Sequence, residues 1–92
     1  MVHPTSDYLK PITFLVIDNK TYMRRMLKNV LETLGAKRIE EARDGADGLA
    51  AVKGLEPDIV LTGWRMNPVS GLDFLKAIRG QQSPIRFTPV IM

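Results

Sequence analysis

The chain has 92 residues, enough for one small domain with a modest core and no second domain. With 45% hydrophobic and 25% charged residues, its composition is that of an ordinary soluble globular protein rather than a disordered chain. Cysteine is absent, which excludes a disulfide framework, a thiol nucleophile and a thiolate metal site, and the net charge of +3 is scattered rather than gathered on one basic face.

Residues 1–11 carry two prolines, Pro4 and Pro11, and no periodicity; they read as a loose leader with His3 exposed. Neither a signal peptide nor a membrane-length apolar run is visible, so a cytoplasmic location is expected, with no membrane partner. Residues 12–92 form the domain. The basic residues, Arg24 and Arg25 among them, read as solvated surface, and no aromatic side chain interleaves with a basic run, so no DNA partner is expected.

Residues 12–17 are a short apolar run of the kind expected for a strand covered on both faces. Met23, Met26, Leu27, Val30, Leu31 and Leu34 then recur at helical spacing, which predicts a helix with that stripe facing the core. Gly35 supplies a left-handed stop. Residues 38–42 form a second strand. Asp44 caps a helix over 46–55, with Leu49, Val52 and the alanines inward, and Pro57 ends it. Residues 58–62 form a third strand.

Ser70 to Asp73 has the form of a capping box, opening a helix that runs to about Arg79 and buries Leu72, Leu75 and Ile78. Residues 88–92 begin a fourth strand. About four strands alternating with three helices imply parallel strands and an open α/β sheet with helices on both faces. Sites in such sheets form at the carboxyl ends of the strands where the strand order reverses. Asp18-Asn19 and Gly63-Trp64-Arg65 both follow strands directly and would share one crevice.

The residues named so far carry a resemblance. Phe14 to Asn19, Met23 to Leu27 and Leu34-Gly35 resemble the opening of a chemotaxis-type receiver domain. Glu41-Ala42-Arg43-Asp44-Gly45-Ala46-Asp47-Gly48-Leu49 is similar to that family's E-A-x-D-G-x-x-A-L signature. Asp58 to Met66, with Gly71-Leu72, is similar to its third-strand motif, and Pro89-Val90-Ile91-Met92 to the start of its fourth strand. The resemblance covers residues 12–92. It implies a flavodoxin-like (CheY-like) fold, incomplete here, without the last strand and the last two helices, and a place in two-component or chemotaxis phosphorelay signalling.

In that family an acidic pair after the first strand and an acceptor aspartate after the third hold Mg²⁺, which neutralises charge on the transferring phosphoryl group. Asp18 matches the first acid. Asn19 replaces the second, and Gly63 replaces the acceptor, so no catalytic residue and no resident metal are expected; Asp18 is at most a weak metal ligand. Trp64 and Arg65 form the rim, with Trp64 read equally as a recognition residue or as half-buried packing and the Arg65 cation partly filling the metal's space. The proline is displaced to Pro68, and the family's Ser/Thr and Lys positions fall beyond Met92. Thr62 points to the opposite face of the strand, and Asp58, Asp44 and Asp47 lie elsewhere, so none substitutes as nucleophile.

These features imply a phosphorylation-incompetent pseudo-receiver rather than an enzyme. Its expected partners are signalling proteins such as a histidine kinase or an output protein. A dimer, plain or domain-swapped, would cover apolar faces left bare by the missing elements. Two other readings are a small-ligand or nucleotide-phosphate binder using Arg65, and a fragment or variant of an ordinary phosphorylatable receiver.

Overall fold

A computed structural model describes residues 8–92. The elements in chain order are β1 (Thr13–Ile17), α1 (Thr21–Thr33), β2 (Arg38–Ala42), α2 (Gly45–Leu55), β3 (Ile59–Thr62), α3 (Gly71–Arg79), a 3₁₀ turn (Pro84–Phe87) and β4 (Val90–Ile91). All strand pairs are parallel, in the order β2-β1-β3-β4. Consecutive parallel strands cannot be joined by a tight turn, so each connection carries a helix across a face of the sheet. The open parallel α/β sheet expected from the alternation, and the flavodoxin-like fold that the resemblance implies, are therefore the ones observed.

Side chains alternate along a strand, so each strand feeds two layers. Leu15 and Ile17 of β1 and Val60 of β3 join Val52 of α2 and Phe74 and Ile78 of α3 in the main core. Phe14 and Val16 point the other way and are buried where α1 lies against β1 and β2. Glycine makes the first layer tight. A Cβ on Gly45 would stand 2.6 Å from Val69 Cγ1, and one on Gly48 would press on Ile17 and Phe74.

Several expectations need correction. The α1 stripe is not core: no residue of the helix is buried, and Met26, Val30 and Leu34 are 51%, 50% and 47% exposed. The helix covers only the β1–β2 half of the sheet. Met23, Leu27 and Leu31 turn partly inward, while the rest of the stripe flanks the bare half. There Leu61, which shares a face with Val16, is half-buried, and Ile91 beside it is exposed.

In α2 Gly45, Gly48 and Val52 are buried and Leu49 and Ala51 pack against the core as expected, whereas Ala46 and Ala50 face solvent. In α3 Phe74 and Ile78 are buried and Leu72 is exposed, because Gly71, Phe74 and Ile78 share the face toward the sheet. The 3₁₀ turn was not foreseen; it seats Ile85 in the core.

Local signals fared better. Asp44 Oδ1 accepts from Asp47 N at 2.8 Å, and Asp47 Oδ2 accepts from Arg43 N at 3.1 Å, a reciprocal cap on α2. Ser70 Oγ accepts from Asp73 N at 3.1 Å, the forward half of the expected box. Gly35 has φ 107°, as its role as a helix stop requires, and Glu56 makes the second left-handed turn before Pro57. Of the leader, residues 1–7 and His3 with them lie outside the described residues; Ile12 N donates to Leu9 O at 3.1 Å, a turn leading into β1.

Candidate functional site

β1 and β3 are neighbours in the sheet but not in the chain, so the strand order reverses between them. The loops leaving their carboxyl ends diverge to opposite faces and leave a crevice. Two backbone bonds carry the ladder into these loops: Gly63 N donates to Ile17 O at 2.9 Å, and Asp18 N to Ala42 O at 3.1 Å. Asp18 and Gly63 are thus brought together, as the sequence led one to expect.

The Asp18 carboxylate has two different surroundings. Oδ1 accepts from Lys20 N at 2.9 Å, a turn contact made within its own loop. Oδ2 lies 2.8 Å from the point where a Cβ on Gly63 would stand. The carboxylate therefore leans into the volume that a side chain at Gly63 would claim. Gly63 does not have a positive φ, so the backbone itself does not demand glycine there.

Asn19 joins three loops. Its Nδ2 donates to Arg43 O at 2.7 Å and to Asn67 O at 3.1 Å, while its Oδ1 accepts from Asn67 N at 2.8 Å. The β1–α1, β2–α2 and β3–α3 loops all meet on this one amide. The Asn67–Pro68 peptide bond within the third loop is cis.

Arg24 is a site residue that sequence reading passed over as surface charge. Its side chain is only 11% exposed. Nη1 donates to Asp18 O at 2.6 Å, Nε to Glu41 Oε1 at 3.2 Å and Nη2 to Thr21 Oγ1 at 3.4 Å. The guanidinium holds the Asp18 loop from below, tying α1 to β2. No short-range pattern marks it, because its carboxylate partner lies on another strand.

The rim also differs from expectation. Of the two readings of Trp64, half-buried packing is the one that fails: the residue is 61% exposed. Arg65 is exposed as well and makes no ion pair with Asp18 among the described residues, so its cation does not fill the space beside that carboxylate. Instead Trp64, Arg65, Met66, Asn67, Ser70 and Leu72 line an open groove of about 440 Å³ along the β3–α3 loop and the start of α3. Met66, between them in sequence, turns into the core and accepts from Thr62 Oγ1 through its sulfur at 3.8 Å.

The remaining carboxylates are occupied elsewhere. Asp58 Oδ2 accepts from Thr13 N at 2.8 Å at the opposite end of the sheet, and Asp44 and Asp47 cap α2. Thr62 is buried with its hydroxyl directed to Gly63 O and Met66. Among the described residues, no three His, Cys, Asp or Glu side chains gather closely enough to hold a metal ion. No described helix is long and apolar enough to cross a membrane.

Comparison with known proteins agrees with the fold. The chain is similar to chemotaxis protein CheY-3 of Vibrio cholerae, with 37% identity over 83 residues covering 90% of this chain and 63% of that protein. It is 35% identical to chemotaxis protein CheY of Pseudomonas aeruginosa over 85% of this chain and 62% of the relative. Among solved structures, the chemotaxis response regulator CheY4 of Vibrio cholerae superposes with a TM-score of 0.78 at 30% identity, covering 86% of this chain and 64% of the other. The chain thus spans less than two thirds of the length of each. The family model for the response regulator receiver domain matches residues 14–92, and the chain belongs to that family.

Proposed function

We propose that this chain is a receiver module of a bacterial two-component or chemotaxis pathway that does not itself accept a phosphoryl group and works by protein contacts. The observation that carries this reading is the Gly63–Asp18 pair. The slot at the end of β3 offers no nucleophilic oxygen, and the neighbouring carboxylate Oδ2 leans to within 2.8 Å of the missing Cβ position. Phosphoryl transfer to a receiver is positioning plus charge neutralisation around one attacking carboxylate. Without that carboxylate there is nothing to position.

The donor set does not suit Mg²⁺ either. That cation prefers six oxygens in tight octahedral geometry. Here Asp18 has one oxygen engaged by Lys20 N, the Asn19 oxygen is taken by Asn67 N, and Gly63 contributes none. The chain is on this reading a cytoplasmic binding module, not an enzyme, whose partners are a histidine kinase or an output protein rather than DNA or a membrane.

Incubation with a labelled phosphohistidine donor or with acetyl phosphate and Mg²⁺ tests it. No hydroxylamine-sensitive acyl phosphate should form, and a stoichiometric label would overturn the reading.

The contacts include a second copy of the chain. Tyr22, Met26 and Val30 of α1 and Leu34 at its end form an exposed apolar row. Sedimentation of a well-folded monomer at micromolar concentration would refute self-pairing. A second reading, binding of a small anionic ligand such as a nucleotide phosphate, draws on the groove of Trp64 and Ser70, where the Arg65 cation is exposed. Calorimetry with cyclic dinucleotides separates it from protein docking.

A further inference from the structure

Asn19 departs from the acid that its position suggests, and its three hydrogen bonds give the departure a purpose. We infer that Asn19 is a carboxamide clasp: its two N–H donors and one oxygen join the β1–α1, β2–α2 and β3–α3 loops at the place where the family's pocket would gather them around a cation. The inference goes beyond the lost phosphoryl acceptor, because it concerns what holds the crevice together.

The orientation of the amide is fixed by chemistry. Asn67 N can only donate, so it must face Oδ1; Arg43 O and Asn67 O can only accept, so they must face Nδ2. A flipped amide would set N–H against N–H and oxygen against oxygen. All of the side chain's donor capacity is therefore used, with distances of 2.7 and 3.1 Å to the two carbonyls and 2.8 Å to the amide.

Aspartate has the same shape and no donors. In its place the bond from Asn67 N would survive, but an anionic oxygen would stand against the carbonyl oxygens of Arg43 and Asn67. The β2–α2 loop would lose its tether to this side chain, the β3–α3 loop would lose one of its two, and both would gain repulsion. Restoring the family's acid at this position therefore opens the clasp instead of rebuilding a metal site.

Other features of the molecule lead less far. The α1 row belongs to the self-pairing already proposed, and the Arg86–Phe87 stack, 4.6 Å from guanidinium to ring centroid, is a single exposed contact.

Thermal unfolding of the full chain tests the clasp. Wild type should melt at the same temperature in chelator and in millimolar Mg²⁺. In chelator, Asn19→Asp and Asn19→Ala should each melt lower by at least roughly 4–8 °C, the shift expected in a domain of this size for loss of one net hydrogen bond. A wild-type midpoint that rises with Mg²⁺, or an Asn19→Asp protein that melts no lower than wild type in chelator, overturns the inference. Should the variants not fold, side-chain amide exchange in wild type decides. Both Asn19 Nδ2 protons should exchange more slowly than those of the exposed Gln82, and equal rates would sink the clasp.

Discussion

The two faces of the sheet begin from equally apolar sequence and end differently. On one, α2 and α3 close over Leu15, Ile17 and Val60, and Val52, Phe74 and Ile78 lose all contact with water. On the other, α1 has the more regular hydrophobic stripe, yet none of its residues is buried. Phe14 and Val16 are covered there, while Leu61 is partly open and Ile91 is exposed. Periodicity states which side of a helix is apolar. It does not state what, if anything, lies against that side.

If the packed face carries the stability, its centre should be the most sensitive place in the chain. Phe74→Ala should lower the unfolding free energy by about 3–5 kcal/mol, read as a shift in urea midpoint at unchanged slope. A loss below about 1 kcal/mol would place Phe74 among ordinary surface sites and erase the contrast between the faces.

Gly71→Ala comes next. Its new Cβ would drive into the Gly63 carbonyl and also stand 3.2 Å from Met92 Sδ, and a backbone carbonyl cannot rotate away as a side chain can. About 1–3 kcal/mol of destabilisation is expected by the same measurement. A neutral result would show that the β3–α3 loop can move, and with it the wall of the crevice.

Smaller effects sharpen the comparison. Asp44→Ala removes the acceptor for Asp47 N at the start of α2, which should cost about 1 kcal/mol. Met26→Lys on the open face should change monomer stability by no more than about 0.5 kcal/mol. If the α1 row pairs with a second copy, the same substitution should shift sedimentation toward the monomer. A large loss of stability from Met26→Lys would mean that the row is covered in solution.

The fold was legible because its signals are local. Asp44 and Ser70 bond to backbone groups three residues ahead. Gly35 stops a helix by its own dihedral angle, and alternation of strands with helices admits few parallel topologies. The same local reading misjudged Leu72 against Phe74, since both fit a helical face and only the direction of the sheet chooses between them.

Sequence alone pointed to an open parallel sheet, to Asp18 and Gly63 at the carboxyl ends of two of its strands, and to a glycine at the end of β3. Tertiary structure decided the rest. It showed Arg24 largely covered beneath the Asp18 loop, Trp64 and Arg65 turned outward, and the amide of Asn19 spent on partners 24 and 48 residues away. Helix spacing and caps are dictated by interactions within a turn or two. A hydrogen bond between distant loops exists only once the strands have set those loops side by side.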